Sequence, residues 1–283
     1  MSPIYPLIAS VLQAASFTID KIILTIKRVT HKTYVSISFP LIFIFTLIIF
    51  LIFKPALTIE LFAGNLLWLI LASITLTIAG NLIFYKALDY DCLNEIQIIS
   101  LLSGIPLIIS AAIFFPDERN SLITLMALAA SASVAWAHWK GKSFHIAKRT
   151  LPYLLWTLLV SPLRGIISKI LLESWNPISL QLIINGASAI FFIIIFSKNL
   201  KTAPMKALPF LIITNLLTTI AWILYYFSYQ ISGIIYTVLI FSLQPLLVYA
   251  ASLIFLKEKF HWKKFAAFMI TLAAIIISQI NLA

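Results

Sequence analysis

The chain has 283 residues, of which 62% are hydrophobic and only 10% charged, with a mean hydropathy of +1.06. Soluble domains carry about 25% charged residues, so this composition excludes a soluble globular protein and describes an integral membrane one. The net charge of +11 does not point to nucleic acid, because the basic residues are scattered over short loops rather than gathered on a soluble face.

A bilayer core of about 30 Å requires roughly 20 apolar residues per helix. Ten stretches qualify: 4–24, 34–53, 62–85, 93–115, 122–139, 153–172, 178–196, 208–229, 231–256 and 262–280. The expected fold class is therefore all-α, a polytopic membrane protein with ten transmembrane helices. The first stretch has neither a basic n-region nor a convincing small-residue cleavage site, and is read as a retained span. The connections are short and leave no soluble domain for enzymatic or nucleic-acid chemistry. Cys92 is the single cysteine, so no intrachain disulfide forms, and no Cys/His cluster has metal-ligand spacing. No Gly-rich phosphate loop or nucleophile elbow is present, and no cofactor is expected.

Fifteen of the twenty Lys and Arg residues fall in loops on one side of this ten-span arrangement, from Lys27, Arg28 and Lys32 to Lys263 and Lys264. The other side holds Lys54 and Arg119, while Lys21, Arg164 and Lys169 lie inside spans. The positive-inside rule makes the richer side cytoplasmic, which puts both termini outside a cytoplasmic (inner) membrane.

The two halves of the chain can be aligned. Residues 5–21 align without gaps on 153–169, ending in Asp20-Lys21 and Ser168-Lys169. Farther along, Phe84-Tyr85-Lys86-Ala87-Leu88 lines up with Tyr225-Tyr226-Phe227-Ser228-Tyr229, and Pro106 with Pro245. Each proline is followed about a dozen residues later by an acidic loop residue, Glu118 and Glu258. Five spans per half is an odd number, so the halves, 1–145 and 146–283, insert in opposite senses as two inverted repeats, a common construction of secondary transporters. The loop charges agree. Lys27, Arg28 and Lys32 follow the first span, whereas the loop after the sixth carries only Glu173.

Ten spans in two repeats, each with a Tyr-containing third span, a Pro in the fourth and a Glu opening the hairpin to the fifth, resemble the drug/metabolite transporter superfamily, in its EamA-like branch. The best-matching stretch runs from Pro245 through Glu258 to Ile277. The resemblance implies a carrier with a central cavity between the repeats that moves small metabolites, often amino acids. Ala127, Ala129, Ala130, Ala273 and Ala274 stand where packing glycines are usual in the family, since any small residue permits close helix approach.

Polar groups at membrane depth are the candidates for function. Arg164 sits near the centre of the sixth span, where a charge costs about 2.5–3.5 kcal/mol on insertion scales and so calls for a partner. Pro162 and Gly165 beside it weaken the helix locally, and interrupted helices at the midplane are where carriers bind substrate. Arg164 pairs either with a substrate carboxylate or phosphate or with Asp20 or Glu95 in a structural ion pair. Asp20 and Glu95 are proton-coupling candidates, set against a helix-end pair of Asp20 with Lys21 and an interfacial cluster of Glu95 with Asn94, Asp91 and Asp89. Ser103, Gln244 and Gln13 are candidates to orient polar substituents, and Pro106, Pro162 and Pro245 to kink their helices. Trp222, Tyr226 and Tyr229 share one helix face at i, i+4, i+7 spacing, with Tyr85 at the matching place in the third span. They either contact substrate as an outer gate or anchor the helix at the lipid headgroups. Asn81, Asn185 and Asn215 are amides whose roles the sequence does not distinguish.

The sequence thus predicts a secondary transporter moving an amino acid or other carboxylate or zwitterion by alternating access. Its partners would be the small-molecule substrate and the lipid bilayer, with no nucleic acid, and it would function as a monomer because one chain carries both repeats. An Ile-rich, Lys-over-Arg composition fits an AT-rich genome such as that of a host-dependent bacterium. The resemblance then extends to importers of S-adenosylmethionine or a nucleotide-type metabolite. Readings of another class are a membrane enzyme built on Asp89, Asp91 and Glu95, and a nontransporting accessory membrane protein.

Overall fold

The structure, a computed structural model, describes residues 2–90, 103–137, 151–200, 204–255 and 260–280. Glu95 lies outside the described residues. Among the described residues every regular element is helical, as lipid demands, because a helix satisfies its backbone groups within one segment. In chain order the helices are α1 (Ile4–Thr25), α2 (His31–Phe53), α3 (Gly64–Tyr90), α4 (Gly104–Phe114) and α5 (Ser121–Ala137). Then come α6 (Leu151–Leu172), α7 (Pro177–Leu200), α8 (Leu208–Ser232), α9 (Ile234–Phe241), α10 (Gln244–Phe255) and α11 (Trp262–Ile280). Seven segments of the described chain are long and apolar enough to cross a membrane, and α4 and α5 supply shorter apolar helices. The chain is a multi-pass membrane protein.

Two helices are interrupted near prolines. In α6 the stretch Trp156–Val160 is a π turn, which leads into Pro162 in the first turn of the α-helical segment Ser161–Leu172. A proline inside a helix has no N–H to donate back and crowds the preceding carbonyl, and a π turn absorbs that misfit. The stretch 231–256, expected as one span, is divided. Helix α8 runs on through Ser232, Gly233 turns the chain at φ +83°, and α9 and α10 are separated by Ser242 and Leu243 just ahead of Pro245. Only glycine adopts such a positive φ without strain. Pro106 lies in the first turn of α4.

The helices pair in three main seams, α2 along α7, α1 along α8 and α5 along α11. The Phe39 ring packs on Phe192 in a tilted pair at 4.4 Å in the first of these, and Trp136 meets Trp262 at 5.7 Å in the last. Buried Ala127, Ala130, Ala267 and Ala274 let α5 and α11 approach closely, which is how membrane helices associate where lipid offers no hydrophobic drive between them. The large side chains of Phe53, Trp68 and Ile194 are strongly exposed. They face outward as a lipid-facing surface should. Helix α3 also touches α6 and α7, α4 touches α6 and α9, and α1 touches α9 and α10. These elements surround a central space.

Candidate functional site

Polar side chains within membrane spans face a partner or a cavity. Here several converge on a central cavity of about 270 Å³. Of the polar candidates, Gln13 from α1, Ser103, Arg164 from α6 and Gln244 at the start of α10 line it. Of the aromatic ones, Tyr85, Trp222, Tyr226 and Tyr229 do so as well, and Pro245 closes the wall beside Gln244. Pro106 and Pro162 are not part of the lining, and Asp20 stands behind it.

Among the described residues lining the cavity, Arg164 carries the one charge. Its guanidinium carbon lies 5.3 Å from the centroid of the Trp222 ring, a cation–π distance. No ion pair between Arg164 and a described carboxylate is formed. Asp20, one expected partner, is fully buried and turned elsewhere. Its Oδ1 accepts hydrogen bonds from the Tyr34 hydroxyl of α2 and the Thr214 hydroxyl of α8, both at 2.5 Å. The neighbouring Lys21 does not take up Asp20 at a helix end, and its Nζ donates to the Leu88 carbonyl at 2.9 Å.

The aromatic face of α8 is buried rather than spread along the lipid surface. Tyr226 and Tyr229 are 4% and 2% exposed. Trp222 lies 6.2 Å from Tyr226, and Tyr226 6.3 Å from Tyr229, as the helical spacing requires. Tyr225 joins them, with its hydroxyl 2.8 Å from that of Tyr229, while the Tyr226 hydroxyl lies 3.3 Å from Ser168 Oγ. Such rings offer flat apolar area with a polar edge, suited to a planar or cationic group.

Several further residues line the cavity that the sequence either does not mark, as Trp156 and Gln181, or marks without a role, as Asn81 and Asn185. Trp156 reaches α3 from the π turn, and a Cβ on Gly80 would stand 3.0 Å from its Nε1. Its only sequence signal is the nearby Pro162. Gln181 and Asn185 of α7 also line the space, and Asn185 Nδ2 donates to Thr46 at 3.1 Å. Asn81 lines it too, whereas Asn215 points away and bonds Ser38 at 3.1 Å. An amide in an apolar span was the available signal, but facing could not be read from it.

A charged cluster adjoins the lining residues Ser168 and Tyr229. Glu118, from the turn before α5, accepts at Oε2 from the backbone N–H groups of Ile234 at 2.6 Å and Ile235 at 3.3 Å. These are orphan donors of the first turn of α9. A Cβ on Gly233 would lie 2.6 Å from Glu118 Cδ, so the carboxylate occupies the space that a side chain at this position would need. Lys169 completes the group, with Nζ 3.2 Å from Glu118 Oε1 and donating to the Tyr229 carbonyl at 2.7 Å. Lys21 and Lys169 are aligned residues, as are Leu88 and Tyr229. Each lysine makes the same bond to the same aligned carbonyl.

Among the described residues no group of three His, Cys, Asp or Glu side chains is placed to hold a metal ion. No curated protein matches the chain in sequence. A solved crystal structure of a protein shares the fold at a TM-score of 0.70 and 13% identity, covering 97% of this chain and 99% of that one. Residues 150–279 match the model of the EamA-like transporter family. With α6 to α11 lying in the matched region and the cavity between them and the first five helices, the second half of this multi-pass membrane protein matches the EamA-like transporter family.

Proposed function

We propose that the chain is a secondary transporter that carries a small anionic or zwitterionic metabolite, such as an amino acid or another carboxylate, across the cytoplasmic membrane by alternating access. The observation that carries this reading is Arg164. It is a guanidinium facing a central cavity, stacked on Trp222 and with no described carboxylate beside it. A planar fork of donors in that position suits a carboxylate or phosphate. Gln13, Ser103 and Gln244 orient the remaining polar groups of the substrate, and Tyr85, Trp222, Tyr226 and Tyr229 enclose its body.

Two inverted five-helix repeats, 1–145 and 146–283, are supported by the way the helices pair. The seam of α1 with α8 has its counterpart in α3 with α6, while α2 with α7 and α5 with α11 are each their own counterpart. In such an arrangement the halves rock about a fixed site. A second reading of the substrate rests on the rings: Trp156, Trp222 and the tyrosines favour a flat heterocycle, as in a nucleotide or S-adenosylmethionine.

Uptake into proteoliposomes of a panel of amino acids, dicarboxylates, nucleotides and S-adenosylmethionine tests both readings. Saturable uptake of one class, lost on Arg164→Ala and partly restored by Arg164→Lys, is expected. Absence of saturable uptake by folded protein, or uptake indifferent to both variants, overturns the assignment.

A further inference from the structure

Asp20 is a fully buried carboxyl whose two oxygens stand in different surroundings. Oδ1 accepts from two hydroxyls, Tyr34 and Thr214, and Oδ2 has no hydrogen-bond partner. An ionised carboxylate with a bare oxygen in a water-poor interior carries a large desolvation cost. A proton on Oδ2 removes that charge and leaves both accepted bonds at Oδ1 intact. The carboxyl is also tied to the cavity, since the Tyr34 ring lies 4.6 Å from that of Tyr85, which lines it.

The charged and titratable groups around Asp20 are few. On α1 itself Lys21 is engaged at the Leu88 carbonyl. From α2 comes Tyr34, with His31 and Lys32 at the helix start, and from α3 come Tyr85, Lys86 and Asp89. Asp89 is occupied by His31 Nδ1 at 2.8 Å. Helices α8, α9 and α10, which also pack on α1, bring tyrosines and no charged residue over their described lengths.

We infer that Asp20 is a proton-binding site that couples proton movement to substrate movement; the coupling rests on the carrier reading above, the proton site does not. Asp20 and its two donors belong to three different helices, α1, α2 and α8. Any motion that parts α1 from α8 removes Thr214 from the carboxylate and admits water to Oδ2. Proton affinity then differs between the two conformations, which is the condition for coupling. The proton enters Oδ2 from one compartment and leaves it to the other, with no other bond made or broken.

The test uses the full chain, substrate-free and then in proteoliposomes. Infrared difference spectra between acid and alkaline buffer should show the carbonyl stretch of a protonated carboxylic acid that shifts in deuterated water and is missing in Asp20→Asn. Should that variant fail to fold, Tyr34→Phe and Thr214→Val each remove one donor to the ionised form, and the midpoint of the same band should move to higher pH. Stimulation of uptake by a proton gradient should be lost in Asp20→Asn, while exchange of labelled for unlabelled substrate persists. A spectrum with no band assignable to Asp20 overturns the proton site. Gradient stimulation that survives Asp20→Asn overturns the coupling. A band at Asp20 in a protein that transports nothing supports the proton site and removes the carrier reading instead.

Discussion

Two seams of this molecule are built from aligned residues and stand in opposite states. Between α1 and α8, Ser16 Oγ lies 2.8 Å from the Thr214 hydroxyl and 2.5 Å from that of Thr218, and the helices are zipped together. Extending the alignments without gaps pairs Ser16 with Arg164, Thr214 with Ser73 and Thr218 with Thr77. Between α3 and α6 these counterparts make no zipper. Arg164 and Thr77 face the cavity, and the buried Ser73 Oγ has no hydrogen-bond partner. One seam is closed by three small hydroxyls, and in its counterpart the Arg164 guanidinium and the Trp156 indole line the cavity. The difference teaches that the cavity opens where the aligned residues differ, a small hydroxyl of the closed set in one seam being matched by a charged guanidinium in the other.

The comparison breaks most forcefully if the residues are exchanged. Ser16→Arg drives an unpartnered charge into the closed seam, and a stability loss of about 3–5 kcal/mol is expected, the usual range for an uncompensated buried charge. Thermal unfolding in detergent measures it. Arg164→Ser should do the reverse. The fold should be kept, with an unfolding temperature no lower than that of the parent. Uptake should fall roughly 10- to 100-fold, as loss of a charged hydrogen bond worth about 1.5–3 kcal/mol implies. An unfolding curve and an initial-rate assay on the same preparation separate the two effects.

Smaller changes sharpen the contrast. Gly80→Ala brings a methyl to 3.0 Å from Trp156 Nε1, tight enough that the indole must move. Overpacking of that kind costs about 1–3 kcal/mol, and part should be read as a several-fold rise in the substrate concentration giving half-maximal uptake. Thr214→Val takes one member from the zipper. Interhelical hydrogen bonds average about 0.6 kcal/mol in membranes, so a loss of roughly 1 kcal/mol is expected from its bonds to Ser16 and Asp20. This fine effect is resolved best as a change in denaturant midpoint.

The membrane class and many helix bounds were legible in the sequence, because an apolar run of bilayer length admits few structures. Arg164 was legible for the same reason: a charge at mid-span must be explained. Asp20 was not. Lys21 beside it suggested a helix end, whereas α1 continues to Thr25, and the decisive partner Thr214 lies 194 residues away. The break between α9 and α10 at Ser242 and Leu243 was hidden within an unbroken apolar run, since hydropathy is blind to backbone conformation. Trp156 is not legible in the sequence, because an indole in an apolar span looks like packing until the π turn and the bare Gly80 place it on the cavity.

The Glu118 carboxylate belongs to the first half of the chain, yet it completes a helix of the second. Helix α9 is only eight residues long, too short to hold itself together when nucleation is costly and the first turn lacks acceptors. Synthesis from the N-terminus delivers Glu118 well before Ile234, so the acceptor is waiting when the donors arrive. The two halves are therefore not interchangeable modules: expressed as separate chains, the second should acquire an ordered ninth helix only in the presence of the first.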